Sequence, residues 1–114
     1  MDSARYEELV KSMKEFSRAR DWGQFHDPKN LALSLNLEAS EVLELFQWTQ
    51  DNKINPDKKD EMAGELADVF YWLIMLSNHY DIDLIKALED KMKISAKKYP
   101  IEKSKGISKK YTEL

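Results

Sequence analysis

Apolar residues recur at intervals of three and four positions through four segments of the chain, and this spacing predicts four helices. The segments cover approximately residues 3–20, 28–49, 57–79 and 82–98. Ser3 would cap the first helix, and Asp27 followed by Pro28 is the order expected where a helix begins. The fourth helix should end before Tyr99-Pro100, because proline disfavours helical backbone at the residue that precedes it.

These segments predict an all-α protein, because the alternating patterns typical of strands are hard to find. A four-helix bundle or a close relative of it is the simplest architecture for four amphipathic helices. A chain of 114 residues is one domain's worth of sequence, and we assign the domain to residues 1–100. Residues 101–114 carry a thin hydrophobic pattern, which predicts a C-terminal tail.

Composition narrows the classes of function. The chain has no cysteine, which excludes disulfides, thiolate metal sites and cysteine nucleophiles and fits the cytoplasm. There is no run of about 18 apolar residues and no basic, then apolar, signal sequence at the N-terminus. The net charge of −3 lacks the basic excess typical of nucleic-acid-binding proteins. We therefore expect a cytoplasmic protein with neither a membrane nor a nucleic acid as partner.

Four carboxylates occupy unexpected positions on the second and third predicted helices. Glu38 and Glu41 lie three residues apart, on a stripe that would continue along the second helix to Trp48. Glu65 and Asp68 repeat this spacing on the third helix. Both pairs border apolar stripes, where an unpaired carboxylate is unfavourable. Four carboxylates in one cleft would repel each other unless a cation lay among them.

A divalent cation is the simplest explanation for these two acidic pairs. A single E-x-x-E on a charged helix is usually a solvated face, but two such pairs on adjacent helices favour a metal site. Helical di-iron proteins use E-x-x-H, and the two histidines, His26 and His79, stand outside both pairs. Ligation by oxygen alone favours Mg²⁺, with Mn²⁺ as a possible substitute, over zinc or iron. Such an ion is typically presented to phosphates, although the chain has no Gly-rich phosphate loop.

The motifs resemble the all-α nucleoside triphosphate pyrophosphohydrolases of the MazG-like superfamily, which carry E-x-x-E on one helix and E-x-x-D on the next. The matching residues are EASE at 38–41 and ELAD at 65–68. The segments RDWGQFHDPKNL at 20–31, ELFQW at 44–48, KM at 91–92 and KKYP at 97–100 are similar to the small dCTP pyrophosphatase branch. The similarity runs from about residue 5 to residue 100.

The resemblance implies a Mg²⁺-dependent enzyme that hydrolyses a deoxynucleoside triphosphate, with dCTP favoured, to the monophosphate and pyrophosphate. The implied metal ligands are Glu38, Glu41, Glu65 and Asp68. Glu41 would also act as general base, and Glu44 is a second candidate for that role; the sequence does not separate them. Lys91 and Lys98 lie about two turns apart on the fourth helix and would meet the phosphates, although solvated helix charges explain them equally well.

Aromatic residues are the candidates for contact with the base, and they are Trp22, His26 and Trp48. On a continuous helix Trp48 would lie roughly 10 Å from the carboxylates, a suitable distance between triphosphate and base. His26 would serve equally well as a loop residue beside a helix cap. We interpret Trp72 as a core or interface aromatic.

Two positions depart from the family pattern. Ser95 stands where relatives commonly have asparagine, and Met13 stands where some have histidine. Both positions bear on contacts to the sugar, the phosphates or the base, and neither is an implied metal ligand. They weaken the assignment of the base but leave the reaction class unchanged.

The resemblance further implies a homodimer, or a tetramer built from two dimers, because sites in this family form between subunits. The role suggested is house-cleaning of the nucleotide pool. Alternatives are the same reaction on dATP, dUTP or a modified nucleotide, and a non-catalytic helical interaction module. The acidic pairs at apolar stripes favour the enzyme over the interaction module.

Overall fold

The computed structural model describes residues 3–114, and in this range it contains helices and no strand. The α-helices are α1 (Ser3–Ala19), α2 (Pro28–Glu44), α3 (Lys59–His79), α4 (Leu84–Lys98) and the short α5 (Ile101–Ser104). Single 3-10 turns occur at Gly23–Phe25, Pro56–Lys58 and Tyr111–Glu113. The all-α prediction is confirmed for the described residues. The predicted cap by the Ser3 side chain lies outside the described part of the chain.

Helix α1 ends close to its predicted boundary. Asp21 adopts a left-handed backbone with φ 53°, which turns the chain away from the helix axis. The carbonyl of Ser17 accepts hydrogen bonds from the backbone N–H groups of Arg20 and Trp22, at 3.2 and 3.1 Å. These bonds hold the following turn, with Trp22 and His26, against the end of α1.

Helix α2 begins as predicted but ends before its predicted boundary. The Asp27 carboxylate accepts a hydrogen bond from the backbone N–H of Asn30 at 2.9 Å, and Pro28 opens the helix. The prediction that the helix continues to residue 49 is wrong, since α2 ends at Glu44. The next residues form bonds to the third preceding carbonyl, and Trp48 leaves the helical region with φ 69°. Aromatic and β-branched residues in this stretch favour helix weakly, which permits the change.

The core of the first three helices is small. Met13 on α1, Leu31 on α2 and Ile74 on α3 are the buried apolar residues, and Ile74 is 0% exposed. Ser77, one turn after Ile74, is also buried, and its hydroxyl donates to the Ile74 carbonyl at 2.8 Å. The packing of α2 on α3 is the main helix contact in this part of the chain.

Contacts divide the chain into two compact units, one ending at Tyr80 and one beginning at Asp81. In the second unit Asp83 caps α4 by accepting from the backbone N–H of Lys86 at 3.1 Å. Helix α4 ends before Pro100, as predicted. Residues 101–114, predicted as a tail, form α5 and a 3-10 turn in which the Tyr111 ring meets Tyr99 edge-on, with centroids 6.1 Å apart.

None of the described helices is long and apolar enough to cross a bilayer.

Candidate metal centre and adjoining groove

Carboxylates from two packed helices converge on one point. Glu38 and Glu41 project from α2, and Glu65 and Asp68 project from α3. Each offers an oxygen atom that lies within 4.8 Å of the corresponding oxygens of the other three. The spacing of three residues places each pair on one face of its helix, and the packing of α2 on α3 brings the two faces together.

Burial and mutual repulsion raise the pKa values of two of these carboxyls. The pKa of Glu38 rises from 4.5 to about 7, first because burial disfavours its charged form, and then because of a hydrogen bond with Glu41 and the nearby negative charges. A hydrogen bond with Glu41 is the main cause of the raised pKa of Glu65, followed by burial. In the absence of a cation, the cluster therefore retains protons that isolated carboxyls would release.

The cluster lacks protein partners for its buried oxygens. The Oε2 atoms of Glu38 and Glu65 are buried and accept no hydrogen bond from any described residue. None of the four carboxylates forms an ion pair with a described lysine or arginine; the ion pairs in this range join Lys58 to Glu61 and Lys86 to Asp90. Buried oxygens without donors are unfavourable. A hard divalent cation that takes oxygen ligands, such as Mg²⁺ or Mn²⁺, fits this donor set.

Glu44 lies at the C-terminal end of α2, one turn beyond Glu41. Its negative charge contributes to the raised pKa of Glu65, which places it in the electrostatic field of the cluster. Glu44 is exposed, and it is not one of the four residues whose oxygens converge. Glu44 therefore lies beside the candidate metal centre and is not one of its four candidate ligands.

A groove of about 470 Å³ adjoins the cluster through neighbouring residues on α2 and α3. Its lining consists of Trp22, Phe25, His26, Asn30, Leu33, Ser34, Leu37 and Trp72. Leu37 precedes Glu38, and Trp72 lies one turn beyond Asp68 on α3. Aromatic walls with a few polar groups suit a planar ligand such as a nucleobase.

The aromatic residues of the groove differ in part from those expected. Trp22 and His26 line it, and the rings of His26 and Trp72 meet edge-on with centroids 5.5 Å apart. Our interpretation of Trp72 as a core or interface aromatic did not include this place in the groove. The available signal was its spacing of four residues from Asp68, which puts both on one face of α3.

Trp48 does not line the groove of the single chain. It lies in the turn after α2 and is 89% exposed, and the predicted helical stripe from Glu38 to Trp48 is wrong because the helix ends first. Lys91 and Lys98 are exposed residues of α4, in the second compact unit. The ammonium of Lys98 stacks over the Tyr111 ring, 4.6 Å from its centroid.

Comparison with known proteins assigns the chain to a family. A sequence model of the MazG-like family matches residues 33–114, which include both acidic pairs. The chain belongs to the MazG-like family. The resemblance seen in the sequence motifs is thus confirmed.

Named relatives of this MazG-like chain include dCTP pyrophosphatase 1 from Homo sapiens and from Mus musculus, 38% and 37% identical over 113 residues. Each match covers 95% of this chain and 66% of the relative, so the chain spans slightly less than two thirds of their length. Among solved structures, a pyrophosphatase from Archaeoglobus fulgidus superposes with a TM-score of 0.75 at 38% identity. That match covers 84% of this chain and 93% of the archaeal one.

Proposed function

We propose that this chain is a divalent-metal-dependent nucleoside triphosphate pyrophosphohydrolase. The observation that carries the proposal is the cluster of four carboxylates, two with buried oxygens that lack partners, next to an aromatic groove. A metal-binding centre beside a base-sized groove is what an enzyme needs to hold a triphosphate at one end and a nucleobase at the other. Relatives named pyrophosphatases support the same assignment.

Glu38, Glu41, Glu65 and Asp68 would hold Mg²⁺, with Mn²⁺ as a substitute. The bound ion would lower the pKa of a coordinated water and offset charge that develops on phosphate oxygens. The same charge would relieve the repulsion that raises the pKa values of Glu38 and Glu65. The carboxylates of the cluster would therefore provide the ligands of the cation, and their mutual repulsion would favour its binding.

The proposed reaction requires one proton-accepting carboxylate near the α-phosphorus. The oxygen of a water molecule bonds to the α-phosphorus while its proton passes to Glu41 or Glu44, and the bond from the α-phosphorus to the bridging oxygen breaks. The products are a nucleoside monophosphate and pyrophosphate. Glu41 belongs to the cluster and the charge of Glu44 acts on it, which supports either residue as the proposed base.

The groove would hold the base, with dCTP as the preferred substrate. Flat rings of Trp22 and Trp72 offer stacking surfaces, and discrimination needs polar contacts at the base edge. His26, Asn30 and Ser34 provide such groups in the lining. The relatives named for dCTP support cytosine over other bases. Lys91 and Lys98 remain the proposed phosphate contacts.

A homodimer, or a tetramer of two dimers, is the proposed assembly. Several large apolar side chains of α2 and its following turn are exposed, namely Leu33, Leu37, Leu43 and Trp48. Exposed apolar area on this scale favours burial against a second copy. Assembly would also provide an environment for Trp48, the proposed base contact that the single chain leaves in solvent.

Product analysis in ¹⁸O-labelled water tests the proposed reaction. Each deoxynucleoside triphosphate is incubated with Mg²⁺ or with EDTA. The products are then separated, and their masses are measured by mass spectrometry to locate the label. We expect Mg²⁺-dependent formation of monophosphate carrying the label and of unlabelled pyrophosphate, with dCTP ranking first. Formation of diphosphate and orthophosphate, or no product above the EDTA blank, would contradict the proposal. If another deoxynucleoside triphosphate is hydrolysed faster than dCTP, the proposed reaction holds and the proposed substrate is wrong.

A further inference from the structure

The imidazole of His26 joins helix α1 to the groove. Its Nδ1 atom lies 3.4 Å from the hydroxyl oxygen of Ser17, and the ring lines the groove together with Trp72. Ser17 itself is not part of that lining. We propose that Ser17 holds the ring proton of His26 on Nε2, and that the Nε2–H group selects cytosine against uracil. This inference rests on the proposed function, because it names how the groove would choose its base.

The Ser17 hydroxyl has only Nδ1 of His26 to donate to. Serine hydroxyls in helices commonly donate to a carbonyl of the preceding turn, as that of Ser77 does to Ile74 at 2.8 Å. Ser17 is 5% exposed, and among the described residues Nδ1 is the only hydrogen-bond partner of its hydroxyl. If Nδ1 carried the proton and donated, the hydroxyl hydrogen would be left without an acceptor at a buried position. The hydroxyl therefore donates and Nδ1 accepts.

A neutral imidazole that accepts at Nδ1 carries its proton on Nε2. Nε2 has no hydrogen-bond partner among the described residues, and it is not one of their buried unpaired atoms. It is thus a donor that a ligand of the groove can use. The rings of His26 and Trp72 meet edge-on with centroids 5.5 Å apart. A base that contacts Trp72 in the proposed complex would therefore lie beside this donor.

A fixed donor distinguishes the two pyrimidines at N3 of the ring. N3 of cytosine is an acceptor, whereas N3 of uracil carries a hydrogen atom. The Nε2–H group can donate to cytosine but meets a second donor in uracil, which leaves both groups unpaired. To accept from uracil, His26 would have to move its proton to Nδ1, and the bond from Ser17 would be lost. Ser17 is therefore a positioning residue that acts on the base through His26.

Ser17→Ala removes the hydroxyl and introduces a residue that helices favour. Ser77→Ala is the matched control, because Ser77 is 4% exposed and its hydroxyl donates within α3. The probes are the α,β-imido analogues of dCTP and dUTP, in which the bond at the proposed point of cleavage resists hydrolysis. Calorimetry with Mg²⁺ measures their binding, and ¹⁵N NMR of the imidazoles locates the ring proton. Loss of signals in His26→Gln assigns the resonances, and an unchanged Tm verifies folding.

We expect the wild type to bind the dCTP analogue more tightly than the dUTP analogue, with the His26 proton on Nε2 in the free protein and in both complexes. In Ser17→Ala the dUTP analogue should bind more tightly, so that the preference for cytosine falls roughly tenfold, about 1.4 kcal/mol. The His26 proton should then lie on Nδ1 in the dUTP complex. Ser77→Ala should keep the preference of the wild type.

Three results would overturn the inference and leave the proposed reaction standing. They are a wild-type His26 with its proton on Nδ1, a preference for cytosine that Ser17→Ala leaves unchanged, and equal weakening of both analogues in that variant. Absence of binding by either analogue would overturn the inference and contradict the proposed function as well. Selection that depends on Ser17, in a protein that does not hydrolyse dCTP, would support the inference and contradict the proposed function alone.

Discussion

Glu38 on α2 and Glu65 on α3 place carboxylate oxygens within 4.8 Å of each other, and the Oε2 atom of each residue is buried without a hydrogen-bond partner. Two acids so arranged cannot both ionise without cost unless a cation joins them. Loss of protons from this pair should therefore weaken the packing of α2 on α3, and binding of a cation should restore it. The predictions on pH and on metal binding follow from this coupling.

Without metal, the protein should lose stability as the pH rises from about 5 to 8. The pKa of Glu38 is about 7 in the folded protein against 4.5 ordinarily, so the folded state holds this proton more tightly than the unfolded chain does. The stability this supplies is fully present below pH 4.5 and is lost as the pH rises through about 7. Glu65 acts in the same direction. Urea unfolding in EDTA at several pH values measures the effect.

Glu38→Gln provides the control for this pH dependence. Glutamine cannot ionise, so the variant should be more stable than the wild type at pH 8 and should show a smaller slope between pH 5 and 8. Glu8→Gln, at an exposed position on α1, should keep the wild-type slope. Stability in EDTA that is flat or rises over this range would contradict the assignment.

Mg²⁺ should stabilise the folded protein strongly at pH 8. At a concentration 100-fold above its dissociation constant, an ion that binds only the folded state adds about 2.7 kcal/mol, a Tm rise on the order of 10 °C. Glu65→Gln should reduce the rise, because it removes a ligand and leaves a buried amide in its place. Differential scanning calorimetry with and without Mg²⁺ measures both proteins, and Glu8→Gln should respond as the wild type does.

The four long helices and the two acidic pairs could be predicted from spacing, because both depend on periodicity within single helices. The packing of α2 on α3 then joins the two pairs into one cluster. The end of α2 could not be predicted, since residues 45–48 continue the helical pattern. The helix ends because Leu45, Phe46 and Gln47 donate to the third preceding carbonyl and Trp48 has a φ of 69°. The place of Trp72 in the groove could not be predicted for a related reason. An aromatic residue on a helix is equally consistent with a core and with a groove, and the packing of neighbouring helices decides between them.

Replacing Trp72 should weaken nucleotide binding more than metal binding. In the proposed complex its ring stacks on the base, and such stacking contributes about 1–3 kcal/mol. We expect Trp72→Ala to raise the KM for dCTP roughly tenfold, whereas Trp72→Phe, which keeps a flat ring, should recover most of the loss. Steady-state kinetics at saturating Mg²⁺ supplies the measurement. A KM unchanged in Trp72→Ala would exclude the ring from the base site.

Leu43 should stabilise the proposed assembly without contributing to the core of the chain. It is 71% exposed in the single chain, and a charge at this position would be buried without a partner at an interface. We expect Leu43→Glu to shift the protein toward monomer in light scattering coupled to gel filtration. Lys53→Glu, in the loop between α2 and α3, serves as the surface control. A wild type that is monomeric at all concentrations would contradict the assembly.

The central claim is that the four-carboxylate cluster is the catalytic metal centre, and pyrophosphate release from dCTP tests it most directly. The rate is measured with Mg²⁺ and with EDTA for the wild type, Glu41→Gln and the surface control Glu8→Gln. We expect release by the wild type and by Glu8→Gln that requires Mg²⁺, and a fall of roughly 10²-fold or more in Glu41→Gln. Release that persists in EDTA, or a Glu41→Gln variant as fast as the wild type, would contradict the account.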